Sequence, residues 1–295
     1  MSRNRHFPSL TLCCLMPEKR TLSLAGRLKK FEKSFLIRCE HYEHFPYGRK
    51  FDENTIFLCD NDLSVSYASF TGCPVIALSH DGNHDQSLMG AGWLIESPDS
   101  ITEFFLEEVY CHHYHLPLLI AETGRCLIRE LSMEDLPALI RLQDENADRP
   151  EGRFFNTEPS DYARFLEDYI RCQYPLYGYG LYAVTAKEPL TDESGTEKKE
   201  ARENQFLGLI GFSGRRMPSG SENLSDTEAT EVCYSFLTRY HGMQYAYESL
   251  SALLAFAGSY WDMKDFFTFI PPGNSASRAL AARLSLTVLA PEEED

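Results

Sequence analysis

The stretch ATEVCYSFLTRYHGMQYAYESLSALLAFA, residues 229–257, predicts a strand, a tight turn and a helix in succession. Residues 232–237 are apolar and β-prone, and the run is long enough for a strand. A short polar segment ending at Gly242 follows, and beyond it the spacing of the apolar residues changes. One face of a helix then carries apolar side chains at helical spacing, namely Ala246, Leu250, Leu253, Leu254 and Ala257.

A turn that leads directly into a helix is suited to binding an anion. The first backbone amides of a helix have no partner inside it, and the helix dipole adds partial positive charge at the same point. A phosphate or diphosphate binds well there if the backbone can approach it closely, which glycine allows. The segment around Gly242 therefore predicts a phosphate-binding turn.

This turn resembles the acetyl-CoA-binding motif of the GNAT-type N-acetyltransferases. The motif reads Arg/Gln-x-x-Gly-x-Gly/Ala, commonly as Tyr-Arg-Gly-Lys-Gly-Tyr-Ala followed by x-Glu-Ala. The residues that match the common form are Tyr240, Gly242, Tyr245, Ala246 and Glu248.

Two positions of the turn depart from the common form. His241 stands where the family prefers Arg or Gln, and it is a weaker anion partner than Arg at neutral pH. Gln244 stands where the family prefers Gly, and its side chain is expected to crowd the point where backbone and diphosphate meet. The Gln amide can itself donate a hydrogen bond, which offsets part of this loss.

A second motif of the same family follows later in the chain. GNAT-type enzymes carry Asn-x-x-Ser-x-x-Leu/Ala-x-x-Lys/Arg-Leu-Gly-Phe after their fifth strand. The residues in register are Asn274, Ser277, Arg283 and Leu284, whereas Ser285 and Leu286 replace Gly-Phe. The resemblance covers about residues 125–290, with the order β–α–α–β–β–β–α–β–α–β.

The other elements of this C-terminal region follow from local patterns. Strands are expected at 126–131, 179–186, 206–212 and 265–270, and helices from 132, over 160–172 and over 279–284. Polar loops are expected at 187–205 and 213–228. The helix at 160–172 carries a stripe that is predicted to pack in the core, or alternatively to line an acceptor pocket, formed by Tyr162, Phe165, Leu166 and Tyr169.

The resemblance implies an enzyme that moves an acetyl group from acetyl-CoA to a primary amine, either of a small molecule or of a protein N-terminus. It places the general base at Glu231, at the start of the fourth strand; a solvent-facing carboxylate at a strand edge is the structural alternative. The cofactor contacts that it implies are Phe236, Leu237, His241, Gly242, Met243, Gln244, Tyr245, Ala246, Asn274 and Ser277. A role as helix N-cap is the alternative for Asn274.

Other features favour a protein that keeps the fold but has lost turnover. The tyrosine that usually protonates the thiolate would fall near Leu280, so water would have to supply that proton. A typical member has one more strand after position 289, and without it part of the acceptor side is not built. A catalytically degenerate acyl-CoA-binding or interaction module is therefore the alternative function.

The N-terminal region predicts a separate, smaller α/β domain. A helix is expected over 17–42, strands at 55–59, 75–78 and 93–95, helices at 63–70 and 101–113, and a helical turn at 85–89. This alternation indicates a small parallel Rossmann-like sheet. Residues 50–110, with Asp60 and Asp62 after the first strand, resemble haloacid-dehalogenase-like phosphohydrolases, but no lysine partner or second acidic strand end completes a site.

Length and composition bound these interpretations. The 295 residues suit two domains, 1–120 and 125–295, with 116–122 as the passage between them. A net charge of −16 argues against non-specific binding to nucleic acid or anionic membranes, and no run is long enough to span a bilayer. The nine cysteines show no Cys-x-x-Cys pair, which predicts reduced thiols in the cytoplasm and no metal site, including at 111–115. The oligomeric state stays open.

Overall fold

The computed structural model describes residues 10–16, 36–40, 50–146, 154–187, 205–214 and 229–290. The chain divides into two compact units, Met1–Leu118 and Leu119–Asp295. Each unit has a sheet of its own. Among the described residues, no helix is both long enough and apolar enough to cross a membrane.

The first unit contains a parallel sheet of five strands and two described helices. Its elements are β1 (Thr11–Leu15), β2 (Leu36–Glu40), β3 (Thr55–Cys59), α1 (Asp62–Ser69), β4 (Val75–Leu78), β5 (Trp93–Ile95) and α2 (Glu103–His113). The strands lie in the order β2-β1-β3-β4-β5, and every pairing is parallel. This confirms the predicted small parallel α/β sheet.

The sheet has two strands more than the sequence predicted. Residues 36–40 form β2, so the helix expected over 17–42 is wrong there; its other residues lie outside the described part of the chain. Every residue of β1 is buried, so its sequence is a continuous apolar run without the alternation that marks a half-exposed strand. The segment 85–89 is irregular between two turns, so the helical turn expected there is wrong.

The helices of the first unit begin at side-chain caps. The Asn61 side chain accepts a hydrogen bond from the Ser64 amide and starts α1. Thr102 caps α2 in the same way through the Phe105 amide, after a short 3₁₀ turn at Pro98–Ser100. These caps explain why both helices start within two residues of their predicted positions.

The second unit is a mixed sheet of seven strands with helices packed on it. Its elements are β6 (Leu119–Glu122), β7 (Cys126–Glu130), α3 (Leu136–Glu145), α4 (Tyr162–Tyr177), β8 (Leu181–Ala186), β9 (Phe206–Ser213), β10 (Thr230–Phe236), α5 (Tyr245–Tyr260), β11 (Phe266–Phe269), α6 (Ser275–Arg283) and β12 (Thr287–Leu289). The strand order is β12-β11-β10-β9-β8-β7-β6. The mixed sheet flanked by helices is confirmed.

The direction of the strands changes once across this sheet. From β6 to β10 each neighbouring pair is antiparallel, whereas β10, β11 and β12 are parallel. Each parallel pair is connected by one helix, α5 and then α6, and the usual right-handed crossover places both helices on the same face. The parallel region therefore brings the starts of α5 and α6 to one edge of the sheet.

Two element predictions for this unit are corrected. Residues 119–122 were predicted to be a passage between domains, but they form β6, the edge strand that pairs antiparallel with β7. Helix α6 begins at Ser275, four residues before the predicted start, because the Asn274 side chain accepts a hydrogen bond from the Ser277 amide and caps it. The remaining boundaries differ from the predicted ones by a few residues.

Candidate functional site

Strands β10 and β11 are paired at only one end. They are in register at Thr230 with Phe266 and at Glu231 with Phe267, and no pair follows. The remainder of β10 is hydrogen-bonded to β9 alone, while β11 continues along β12. A gap therefore opens between the two parallel strands, with its closed end at Glu231 and its open end where β10 runs into α5.

The bend at the open end of this gap comprises residues 237–244. A 3₁₀ turn at Thr238–Tyr240 opens it, and Gly242 and Gln244 both have left-handed backbone conformations, with φ of +76° and +67°. Glycine adopts such a conformation without strain, whereas a residue with a side chain does so at a cost of about 1 kcal/mol. Because Gln244 replaces the glycine that the family prefers, the backbone is strained at this position.

Several backbone amides at the end of the bend and in the first turn of α5 have no acceptor within the described residues. Within the described part of the chain, no hydrogen bond is formed by the amides of Gly242, Gln244, Tyr245, Ala246 and Tyr247. The first amide of α5 that is bonded belongs to Glu248, which donates to the Gln244 carbonyl. No side chain caps the helix. The start of α5 therefore carries a set of unpaired donors and the positive end of the helix dipole.

A side-chain clamp holds this bend in shape. The Glu248 carboxylate accepts hydrogen bonds from the Thr123 hydroxyl at 2.6 Å and from the Arg125 amide at 3.0 Å, and it pairs with the Arg125 guanidinium at 2.7 Å. Arg125 also donates to the Met243 carbonyl at 3.1 Å and lies 4.2 Å from the centroid of the Tyr245 ring. The turn between β6 and β7 thus fixes both sides of the bend.

The clamp changes the acidity of its carboxyl group. Burial alone would raise the pKa of Glu248, but the Thr123 hydroxyl and the Arg125 guanidinium and amide outweigh it and lower the pKa from its ordinary value. The same contacts raise the pKa of Arg125. Sequence reasoning matched Glu248 to the family motif without a role and passed over Arg125. A contact between residues 123 positions apart leaves no local signal.

A second arginine was also missed. Arg239 stands three residues before Gly242, which is the first position of the Arg/Gln-x-x-Gly-x-Gly/Ala pattern, so the pattern itself could have found it. Its guanidinium lies 4.7 Å from the centroid of the buried Tyr240 ring. Burial raises the pKa of Tyr240 despite the nearby Arg239 and Arg141 guanidiniums. The bend therefore has a cation beside it even though His241 replaces the expected basic residue.

The structure places the two atypical residues of the bend outside its amide surface. The His241 ring turns back to β10, with Nε2 2.9 Å from the Phe236 carbonyl oxygen. The Gln244 side chain is exposed, and its Oε1 accepts a hydrogen bond from the Arg283 guanidinium of α6 at 2.6 Å. Arg283 also lies 3.9 Å from the centroid of the Tyr247 ring. The Gln244 side chain is therefore engaged with α6.

Glu231 lies at the closed end of the gap. Its side chain is buried and accepts a hydrogen bond from the Ser213 hydroxyl, which comes from the paired position of β9. A solvent-facing carboxylate at a strand edge, the structural alternative, is therefore wrong. At about 3.3 Å per residue, Glu231 lies roughly 17 Å along the strand from Phe236, where the bend begins.

The far side of the gap is formed by β11 and α6. The Asn274 side chain caps α6, so its structural alternative is observed, and Ser277 supplies the capped amide. The Tyr234 hydroxyl donates to the Ser277 carbonyl at 3.3 Å, and burial raises the pKa of this tyrosine. Leu280 follows one turn later on α6, where a tyrosine was expected from the family pattern. Of the two implied cofactor contacts before the 3₁₀ turn, Phe236 and Leu237, the Leu237 amide is bonded to the Leu207 carbonyl.

The aromatic stripe of α4 lies partly in the core and partly at a surface cleft; its predicted role in lining an acceptor pocket stays a prediction. Leu166 is fully buried, and the Tyr169 hydroxyl accepts the Leu181 amide at 2.7 Å, so this part belongs to the core. The Tyr162 ring stacks on Phe155 at 4.1 Å at the edge of a surface cleft. The described residues that line this cleft are Gln143, Asp144, Phe155, Asn156, Thr157, Glu158 and Tyr162.

The cleft is tied to the bend through α3. The carboxylate of Glu145, the last residue of α3, accepts a hydrogen bond from the Thr238 amide at 2.7 Å. The neighbouring Gln143 and Asp144 face the cleft. The end of α3 therefore contacts the start of the bend with one side chain and lines the cleft with two others.

The acidic turn of the first unit is closed. Asp60 follows β3 with its side chain fully inaccessible; its Oδ1 accepts from the Asn61 side chain at 3.0 Å and its Oδ2 lies 3.6 Å from His80 Nε2. The Asp62 carboxylate accepts the amides of Ser87 and Leu88. No group of three or more His, Cys, Asp or Glu residues within the described ranges could hold a metal ion.

Comparison with known proteins agrees with this geometry. Residues 125–287 match the family described as Acetyltransferase (GNAT) domain, which is more than half of the chain. No curated protein matches the chain.

Among the solved structures that are similar to this chain, three are acetyltransferases with the following identities and coverages. One from Agrobacterium tumefaciens strain C58 is 21% identical, with 59% of this chain and 87% of that chain covered and a TM-score of 0.40. The RimL ribosomal L7/L12 alpha-N-protein acetyltransferase in complex with coenzyme A is 18% identical, with 56% and 81% covered and a TM-score of 0.41. One from Salmonella typhimurium that modifies the N-terminal serine of 50S ribosomal subunit protein L7/L12 is 18% identical, with 55% and 80% covered and a TM-score of 0.39.

The family match covers every element that forms the gap and the bend, from Arg125 to the start of β12, and all of the clamp except Thr123. Members of this family use acetyl-CoA, so the family match confirms the expected cosubstrate. The chain belongs to the GNAT acetyltransferase family.

Proposed function

We propose that this protein transfers an acetyl group from acetyl-CoA to a primary amine, either of a small molecule or of a protein N-terminus. One observation carries the proposal: the gap between β10 and β11 leads from unpaired amides at the bend to a buried carboxylate at its closed end. A binding site for a long anionic thioester needs this combination of an anion-binding end and a reactive end.

The residues present fit the cosubstrate. The unpaired amides of Gly242 and of residues 244–247 would hold the diphosphate, with Arg239 as the nearby cation. The free edge of β10 beyond Glu231 offers backbone groups to the amide-containing arm, in the manner of an added strand. Phe236, His241, Met243, Asn274 and Ser277 border this path and stay proposed contacts.

The reaction requires two proton movements. Acetyl-CoA, when bound, supplies the acyl group as a thioester. We propose that Glu231 takes the proton that the attacking amine nitrogen loses, directly or through a water molecule, and that Ser213 orients its carboxylate. As the new C–N bond replaces the C–S bond, the sulfur needs a proton. Tyr234, whose hydroxyl reaches across to the Ser277 carbonyl of α6, is the proposed donor in place of the tyrosine absent at Leu280.

The amine is proposed to enter by the cleft at the end of α3. Asp144 and Glu158 line it, and Glu145 lies next to them, so a positively charged amine is attracted there. The stacked rings of Phe155 and Tyr162 provide an apolar wall beside these carboxylates. The cytoplasm, as the compartment of acetyl-CoA and reduced thiols, is the proposed location.

An acyl-CoA-binding module without turnover is the second candidate. The strained Gln244 and the leucine at position 280 favour it, because each departs from a residue that the family motif uses. The two candidates share the cofactor site and differ in whether Glu231 and Tyr234 act on an amine.

Calorimetric titration with acetyl-CoA, followed by thiol release with a panel of amines and peptides, separates the candidates. We expect saturable binding, and amine-dependent thiol release that Glu231→Gln lowers by roughly 100-fold or more without loss of acetyl-CoA affinity. Glu134→Gln, an exposed carboxylate outside the site, is the matched control. Binding without release from any amine supports the second candidate, and absence of binding refutes both. A blank corrects for the exposed thiol of Cys172.

A further inference from the structure

Arg283 occupies an unusual electrostatic position. It is the last residue of α6, and its guanidinium reaches the start of α5, where it donates to Gln244 Oε1 at 2.6 Å and lies 3.9 Å from the centroid of the Tyr247 ring. These contacts bring the guanidinium close to the positive end of the α5 dipole. A cation in that position is repelled by the helix start.

The second arginine near this helix start differs in one respect. Arg125 is neutralised by the Glu248 carboxylate at 2.7 Å. Arg283, within the described part of the chain, contacts only neutral partners, an amide oxygen and a ring face. Its charge is therefore available to an anion, and Arg matches a phosphate with two parallel hydrogen bonds better than it matches a single amide oxygen.

The location of Arg283 distinguishes it from the amides. It reaches the exposed side chain of Gln244 and the ring of Tyr247, both on the solvent side of the bend, and comes from the opposite helix of the gap. The unpaired amides can hold the diphosphate without it. Coenzyme A carries one more phosphate, on the 3′ position of its ribose, at the end of the molecule farthest from the thiol.

We propose that Arg283 binds this 3′-phosphate and makes the site distinguish coenzyme A from its 3′-dephospho form. The inference rests on the proposed function, because it assumes that the cofactor lies in the gap with its diphosphate at the bend. The guanidinium exchanges the Gln244 oxygen for phosphate oxygens and keeps the Tyr247 ring as its support. Gln244, although strained, holds Arg283 at the start of α5.

The test compares the binding of two ligands to four proteins. Calorimetry with coenzyme A and with dephospho-coenzyme A is carried out on the wild type, on Arg283→Gln and on Arg278→Gln. Arg278 lies on the same helix, is exposed and forms no side-chain hydrogen bond, ion pair or ring contact with the described residues, so its variant controls for the loss of one positive charge. Arg283→Lys keeps the charge and removes the paired donors.

We expect the wild type and Arg278→Gln to prefer coenzyme A by roughly 10- to 100-fold, and Arg283→Gln to lose this preference while its affinity for dephospho-coenzyme A stays unchanged. Arg283→Lys should keep part of the preference. Equal binding of both ligands by the wild type overturns the inference, even where Arg283→Gln fails to fold. Equal weakening of both ligands by Arg283→Gln also overturns it and assigns the residue to the bend. Failure of the wild type to bind either ligand refutes the proposed function instead.

Discussion

Two strand-to-helix bends in this protein have the same local architecture and opposite chemistry. In the first unit, β3 runs into α1 through Asp60 and Asn61; in the second, β10 runs into α5 through residues 237–244. At the first bend the Asn61 side chain caps the helix by accepting from the Ser64 amide at 2.9 Å. At the second, no side chain caps the helix, and the first amides of α5 stay unpaired within the described residues.

The difference shows that a helix start can bind an anion only where its first backbone amides have no acceptor within the protein. At the first bend the polar side chains are engaged within the protein. The Asp62 carboxylate accepts hydrogen bonds from the amides of Ser87 and Leu88, and Asp60 is buried beside Asn61 and His80. An anion arriving there meets negative charge and occupied donors. At the second bend the Glu248 carboxylate is engaged by Thr123 and Arg125, and the Glu145 carboxylate by the Thr238 amide, so neither competes with an anion for the unpaired amides.

The largest expected effect comes from giving the second bend the negative charge of the first. Gly242 has a left-handed backbone, and a Cβ there would meet no atom within 4 Å. Gly242→Asp places a carboxylate beside the unpaired amides, where it competes with the diphosphate and repels it. We expect calorimetry to show acetyl-CoA affinity lower by roughly 100-fold.

Gly242→Asn is the matched control for this variant. Asn has nearly the same shape as Asp and tolerates the left-handed conformation about as well, so both variants carry the same backbone strain. We expect Gly242→Asn to bind at least tenfold tighter than Gly242→Asp. Equal affinities would mean that the second bend does not bind an anion. The proposed difference in function between the two bends would then be wrong.

The converse change, at the first bend, should affect stability and leave binding unchanged. Asp60→Asn replaces an inaccessible carboxylate that accepts from the Asn61 amide group with a side chain that is itself a donor. We expect the first unit to lose about 1–3 kcal/mol of unfolding free energy, and the acetyl-CoA affinity to stay as in the wild type. A loss of affinity would indicate that the first bend contributes to the cofactor site.

The two tryptophans allow this loss to be assigned to one unit. Trp93 lies in β5 of the first unit, and Trp261 follows α5 in the second. In a Trp261→Phe background, the fluorescence change on urea unfolding reports on the first unit, and in a Trp93→Phe background it reports on the second. We expect Asp60→Asn to shift only the Trp93 transition.

The clamp that keeps Glu248 away from the amides predicts a pH dependence. The pKa of Glu248 is lowered in the folded protein from an ordinary value of 4.5, so its contribution is present above that value and is lost as the pH falls through the folded pKa. We expect Glu248→Gln to lower the unfolding free energy by about 1 kcal/mol at pH 7, because Arg125 is half-exposed and the pair is screened.

The measurement is urea unfolding in the Trp93→Phe background at several pH values. The difference between wild type and Glu248→Gln should be constant from pH 7 to about 5 and should shrink below the ordinary value of 4.5. Glu134→Gln, an exposed acidic residue of the same unit, should show no such trend. A difference that persists at low pH would mean that shape, not charge, holds the clamp together.

These bends also show how much of the fold could be predicted from the sequence. The strand and helix around the second bend were predicted to within three residues, because the apolar spacing changes from strand to helix on either side of Gly242. The fold class and the order of elements in the second unit followed from the same kind of local pattern. Strands β1 and β2 were missed, because a buried parallel strand is recognised by partners distant in sequence.

The site was less predictable than the fold for the same reason. The gap exists because β10 and β11 stop pairing after Glu231, and pairing is not a property of either strand alone. Arg125 and Glu248 are 123 positions apart, and Arg283 reaches Gln244 across 39. Gln244 was predicted to crowd the bend, but nothing in its sequence neighbourhood indicated that its side chain would be engaged by α6.

The smallest expected effect is that of restoring glycine at this position. Gln244→Gly removes a left-handed residue with a side chain, which relieves about 1 kcal/mol of backbone strain, but it also removes the acceptor that holds Arg283. Because the Gln244 side chain is engaged with Arg283, relief of crowding at the amides should be modest, and we expect acetyl-CoA to bind only about two- to fivefold tighter.

Gln244→Ala, which keeps the strain and loses the acceptor, is the control. If Ala and Gly variants bind equally, the backbone conformation at 244 is irrelevant to the cofactor. An improvement of tenfold or more in the Gly variant alone would instead support the crowding argument, and the second bend would then be a partly closed version of the family site.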